Sequence, residues 1–128
     1  MKKLFTKETY ALEWDKNILI GIINREVVDL EYAQKIVASR QKFVGGVEFP
    51  LLVKFQSIKK VTKEARDFFA SKQGCEGVLA GAICVDSVLT NTVANLFLLL
   101  SPPSVPTKVF KNEEKAMEWL SKFVVNKN

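Results

Sequence analysis

The octapeptide Val78–Val85, VLAGAICV, is apolar on both of its alternating faces, so both need cover. A strand reads this way when it lies inside a sheet with helices packed on each side, as in parallel α/β proteins. Its small residues Ala80, Gly81 and Ala82 leave room for close helix packing. Gly74 and Gly77 bracket a break before it, and Asp86 or Ser87 beyond it can cap a helix. Such a strand needs neighbouring strands and two helical layers, and the rest of the chain supplies them.

Upstream, Tyr10, Leu12 and Trp14 alternate with Ala11 and Glu13, the period-2 mark of a strand with one wet face. Asp15-Lys16-Asn17 supplies turn chemistry and residues 18–23 make a second strand, which predicts an antiparallel hairpin. Asp29 is placed to cap a helix in which Ala33, Ile36, Val37, Phe43 and Val44 recur at steps of three and four, and Gly45-Gly46 ends it. Pro50 opens a third strand over residues 51–55. After a loop at 56–61, Thr62 is the expected N-cap of a helix that turns Ala65, Phe68 and Phe69 inward.

The helix after the octapeptide, Val88–Leu100, stops at the proline-rich segment 101–106, because proline cannot continue the hydrogen-bond ladder. A short strand over residues 107–110 follows. Asn112 then caps a last helix with Ala116, Leu120, Phe123 and Val124 on one stripe. The order β-β-α-β-α-β-α-β-α predicts one α/β domain over residues 1–128, with a mixed, mostly parallel five-stranded sheet, about four helices and right-handed crossovers.

Composition narrows the function classes. None of the 128 residues is histidine, which removes imidazole bases, Ser-His-Asp or Cys-His pairs and mixed Cys/His zinc sites. No paired acid-base spacing and no phosphate-binding glycine loop compensates, so the expectation is a protein that is not an enzyme and holds no cofactor or metal. Cys75 and Cys84 are too few for a disulfide framework and are expected as free thiols, Cys84 within a buried strand and Cys75 exposed. The N-terminal stretch lacks the ~7–15 residue apolar run of a signal peptide, and the apolar helix falls short of the ~20 residues of a membrane span. A cytoplasmic location is expected.

The element order and several phrases resemble the STAS domain family, the sulfate-transporter and anti-sigma-factor-antagonist fold, and more closely small uncharacterised bacterial proteins with a SpoIIAA-like fold. The phrases are FPLLVKFQSIKKVTKEARDFFAS at 49–71, GVLAGAICVDS at 77–87, TVANLFLLL at 92–100 and VPTKVFKNEEKAMEWL at 105–120. In the regulatory members, the resemblance implies a partner-binding surface at the start of the helix after the third strand, where a serine in an Asp-Ser motif is phosphorylated. Here Thr62-Lys63-Glu64 occupies that place and the phosphoacceptor is missing. The fold is also topologically similar to lipid-carrying domains of the CRAL-TRIO type.

Two surfaces are candidates for function. The net charge of +5 is concentrated: no Lys or Arg occurs between Gln73 and Thr107, while Lys54, Lys59, Lys60, Lys63 and Arg66 crowd thirteen positions. Lys59, Lys60, Thr62, Lys63 and Arg66 surround a predicted helix start, where free backbone N–H groups favour anions, so they form a candidate surface for an anionic ligand or a protein partner. The alternative is a solvated face partly neutralised by Glu64 and Asp67. Nucleic acid is not favoured, since aromatic residues do not interleave with the basic run.

The second surface is the apolar C-terminal half of the helix Val88–Leu100, with Leu98 and Leu99 as candidate contacts that are either covered by the proline-rich segment or open to self-association. Arg40 falls on the line of Ala33, Ile36 and Val37, which places it at the core edge, either snorkelling or clamping an anion. The expected function is a non-catalytic regulatory or protein-interaction module without a phosphoserine switch. The alternative is a carrier of a small apolar or lipid ligand, walled by the helix Val88–Leu100.

Overall fold

The computed structural model describes residues 3–5 and 10–125. Its sheet grows from the predicted hairpin. Lys16 and Asn17 have φ of 53° and 66°, and positive φ at both loop residues is what a type I′ turn requires, because its twist matches that of the strands it joins. They link β2 (Tyr10–Asp15) to β3 (Ile18–Asn24), with Asp15 opposite Ile18. From β3 onward the neighbours run parallel: β5 (Phe49–Gln56), β7 (Val78–Val85) and β8 (Thr107–Phe110). The five expected strands thus form the expected mixed sheet, and β1 (Lys3–Phe5) adds an antiparallel edge strand beside β2. A separate parallel ladder joins β4 (Val27–Val28) to β6 (Lys60–Val61). Strands of two residues carry too little alternation to be read from sequence.

Each helix begins at the cap its sequence offers. The Asp29 carboxylate accepts from the Tyr32 N–H at 2.9 Å and opens α1 (Leu30–Val44), which Gly45 ends in the left-handed conformation at φ 63°. Thr62 Oγ1 accepts from the Ala65 N–H at 3.2 Å at the head of α2 (Lys63–Ala70). Ser87 rather than Asp86 caps α3 (Val88–Leu100), its Oγ accepting from the Thr90 N–H at 3.1 Å. Asn112 caps α4 (Glu113–Ser121).

The helices cover the sheet unequally. On one face Leu19, Ile23, Leu51, Phe55, Ile83 and Val85 join residues of α1, α2 and α3 in the main core. On the other, Ile18, Ile20, Leu52, Ala80 and Ala82 meet Ala116 and Leu120 of α4. Strand β7 is therefore covered on both faces, as its composition requires. Its alanines let α4 approach closely enough to bury Leu120 fully. No helix among the described residues is long and apolar enough to cross a membrane.

Candidate functional site

The three-helix side of the sheet does not close. A cavity of about 90 Å³ remains between β3, β5 and β7 on one side and α1, α2 and α3 on the other, floored by Ile23, Leu51 and Ile83 and roofed by Ile36, Phe69 and Phe97. Val53 shows that the space communicates with solvent. It sits in the middle of β5 between β3 and β7 and still remains half-buried. Cys75, Pro103, Val105 and Thr107 are half-buried lining residues too, so the wall reaches the surface between the loop after α2 and the proline-rich segment after α3.

One charge lies in this apolar wall. Arg40 occupies the inner stripe of α1 with Ile36 and Val44 and is only 4% exposed. It does not snorkel to the core edge, as the helical line alone suggests. The stripe points it at the sheet, and a backbone acceptor waits there: Nη2 donates to the carbonyl oxygen of Gly74. The guanidinium carbon also lies 6.0 Å from the centre of the Phe49 ring, within cation–π range. Nε is buried and has no hydrogen-bond partner. Among the described residues no other charged side chain is buried and no ion pair reaches Arg40. Burial pushes the arginine pKa below its ordinary value, while Tyr10 and Cys75 nearby act in the opposite direction.

The acceptor is held in place by its own loop. Ser71 Oγ donates to the Phe68 carbonyl at 2.6 Å and accepts from the Gly74 N–H at 3.1 Å. Cys75 Sγ lies 3.4 Å from the Phe69 carbonyl oxygen, so this thiol is half-buried against the cavity wall and not fully exposed.

The basic residues singled out from the sequence occupy a different place, and none of them lines the cavity. Lys59 pairs with Glu26 at 3.4 Å and Lys63 with Asp67 at 2.9 Å, both on the open surface. Lys60 is exposed on β6, opposite Val27. Arg66 folds back so that Nη1 reaches the Val61 carbonyl oxygen at 3.5 Å, and its Nε has no hydrogen-bond partner. The Thr62 hydroxyl is engaged as the cap of α2. Lys54 separates from the group, pairing with Glu113 of α4 at 2.8 Å on the other side of the sheet. At the end of α3, Leu98 packs on the core while Leu99 is 75% exposed.

Residues 10–124 match the family described as a domain of unknown function, DUF7793. The chain belongs to the DUF7793 family. No curated protein matches it. A crystal structure of an uncharacterised DUF3478-family protein with a SpoIIAA-like fold, from Shewanella loihica PV-4, is similar to this DUF7793 chain at 14% identity with a TM-score of 0.61. The match covers 88% of this chain and 92% of the other. At that identity the likeness establishes the SpoIIAA-like fold and carries no activity with it.

Sequence reasoning raised an apolar pocket beside the helix Val88–Leu100, whose Phe97 is in the lining, but did not assemble the rest of the cavity. Its wall draws on Tyr10, Val53, Gly74, Cys75 and Val105, which no short-range pattern connects. The available signal was Arg40 itself, a charge on the apolar stripe of a helix.

Proposed function

We propose that this DUF7793 chain is a non-catalytic binding module that takes a small apolar ligand into the cavity between the sheet and α1 to α3. The observation that carries this reading is the cavity of about 90 Å³ with its apolar lining. Its lining lacks apolar neighbours on the cavity side, so a ligand that fills the space gains contacts and removes apolar surface from water. An engineered apolar cavity of ~150 Å³ admits benzene. This one opens outward, and a longer molecule can continue past Pro103 and Val105. Its polar lining side chains, Arg40, Tyr10, Cys75 and Thr107, can bind and orient but include no carboxylate or imidazole to move a proton.

The test is a thermal-shift series with benzene and 1-octanol on the full chain, alongside native mass spectrometry of protein purified without denaturation. A rise in Tm that is lost in Val53→Phe, which fills the cavity, is the expected result. No shift with either probe, together with no co-purifying small molecule, would sink the reading.

A second reading, a protein-interaction module that self-associates, draws on the outer side of α3. Leu96, Leu99 and Leu100, at i, i+3 and i+4 on α3, are 47%, 75% and 55% exposed, and neighbouring exposed apolar side chains of this kind commonly meet a partner. Sedimentation velocity over a concentration series checks it. Association that Leu99→Lys abolishes supports this reading, and a monomer at every concentration removes it.

A further inference from the structure

We infer that the ligand of this cavity is an apolar carboxylate, its head group paired with the buried guanidinium of Arg40 and its hydrocarbon part lying against Val53 and Ile83, an assignment that rests on the cavity being the ligand site. Arg40 lines the cavity, is 4% exposed and carries an Nε–H with no partner. A buried charge is costly unless an opposite charge and hydrogen bonds accompany it. Among the described residues no carboxylate supplies either to Arg40.

The site is organised before anything binds. Gly74 holds the guanidinium through Nη2, and Ser71 holds Gly74, so the planar fork has lost its freedom in advance and a ligand does not have to order it. A planar guanidinium suits a carboxylate, and charge-assisted bonds of this type are the strong ones. Charge balance makes the same choice. One buried guanidinium neutralises one carboxylate, whereas a phosphate monoester brings up to two charges into a wall that is otherwise apolar.

Octanoate and 1-octanol share a hydrocarbon chain and differ in the head group, which makes them the discriminating pair. Isothermal titration of each into the full chain is expected to give octanoate about tenfold tighter binding, the ratio that one charge-assisted hydrogen bond supplies. Arg40→Met is expected to bring octanoate down to the affinity that the same variant shows for 1-octanol, so that the tenfold preference disappears. In the wild-type protein, the ¹⁵N–¹H signal of the Arg40 Nε–H is expected to shift with octanoate and to stay with 1-octanol, a readout that decides the matter even where Arg40→Met does not fold. Equal affinities with an unmoved Nε–H signal overturn the carboxylate assignment and leave the apolar site standing. Binding of neither probe overturns both.

Discussion

Arg40 and Gly74 stand 34 positions apart in the chain and share a hydrogen bond, the guanidinium Nη2 donating to the glycine carbonyl oxygen. That contact ties α1 to the loop between α2 and β7, and it depends on how closely the loop lies against the end of α2. A Cβ at position 74 would stand 2.1 Å from the Phe68 carbonyl oxygen and 2.9 Å from Phe69 Cα. Both neighbours are backbone, so the loop has to move. Gly74→Ala is therefore expected to lose about 1–3 kcal/mol, the range of overpacking in a tight site. Urea denaturation measures it, and an unchanged midpoint would show that the loop yields freely.

Gly81 is the opposite case. It also lines the cavity, but the nearest atoms to an added Cβ are Oγ1 and Cγ2 of Thr107, at 3.6 and 3.7 Å, ordinary contact distances. Alanine restricts the unfolded chain without straining the folded one there, so Gly81→Ala is expected to gain about 0.4–1 kcal/mol. Calorimetry should show a higher Tm. A lower one would mean that β7 and β8 need the extra room.

These two glycines also mark how far the sequence reaches. Caps, turns and strand alternation are local, so Asp29, Thr62, Asn112 and the Lys16-Asn17 turn were legible, and with them the element order and sheet class. The cavity was not, because its walls come from places as distant as Tyr10 and Thr107. The basic run shows a different limit. Counted along the chain, Lys54 and Lys59 are neighbours, but strand pleating sends Lys54 toward α4 on the face opposite Phe55. Linear crowding of charge measured sequence distance: the Lys63–Asp67 pair is local to α2, whereas Glu26 and Glu113, the partners of Lys59 and Lys54, came from elsewhere in the fold.

Tyr10 ties the same wall to alkaline pH. Burial pushes its hydroxyl pKa upward, and the charge of Arg40 offsets this only in part. A folded-state pKa above the unfolded value of about 10 means that the unfolded chain loses the proton first as pH rises. The stabilisation is then complete below pH ~10 and drains away as pH climbs from there toward the folded pKa. Tyr10→Phe is expected to flatten this alkaline decline relative to wild type. Denaturation midpoints taken from neutral to alkaline pH test it, and parallel curves for the two proteins would remove Tyr10 from the account.

Asp67 responds on the acid side, where a hydrogen bond joins α2 to the end of α3. Ser101 at the C-terminus of α3 donates to one carboxylate oxygen at 2.7 Å, and Lys63 donates to the other at 2.9 Å. The Ser101 bond is the main reason that the Asp67 pKa lies below its usual value, with Lys63 second. A depressed folded pKa contributes stability above the unfolded value of about 3.9 and loses it as pH falls through the folded one. Ser101→Ala removes a buried hydroxyl while Lys63→Met removes a solvent-exposed partner, so Ser101→Ala is expected to raise the Asp67 midpoint further. Carboxyl ¹³C titration of both variants reads the two shifts directly. If Lys63→Met moves the midpoint more, the α2–α3 hydrogen bond is the weaker of the two and the surface charge controls this carboxylate.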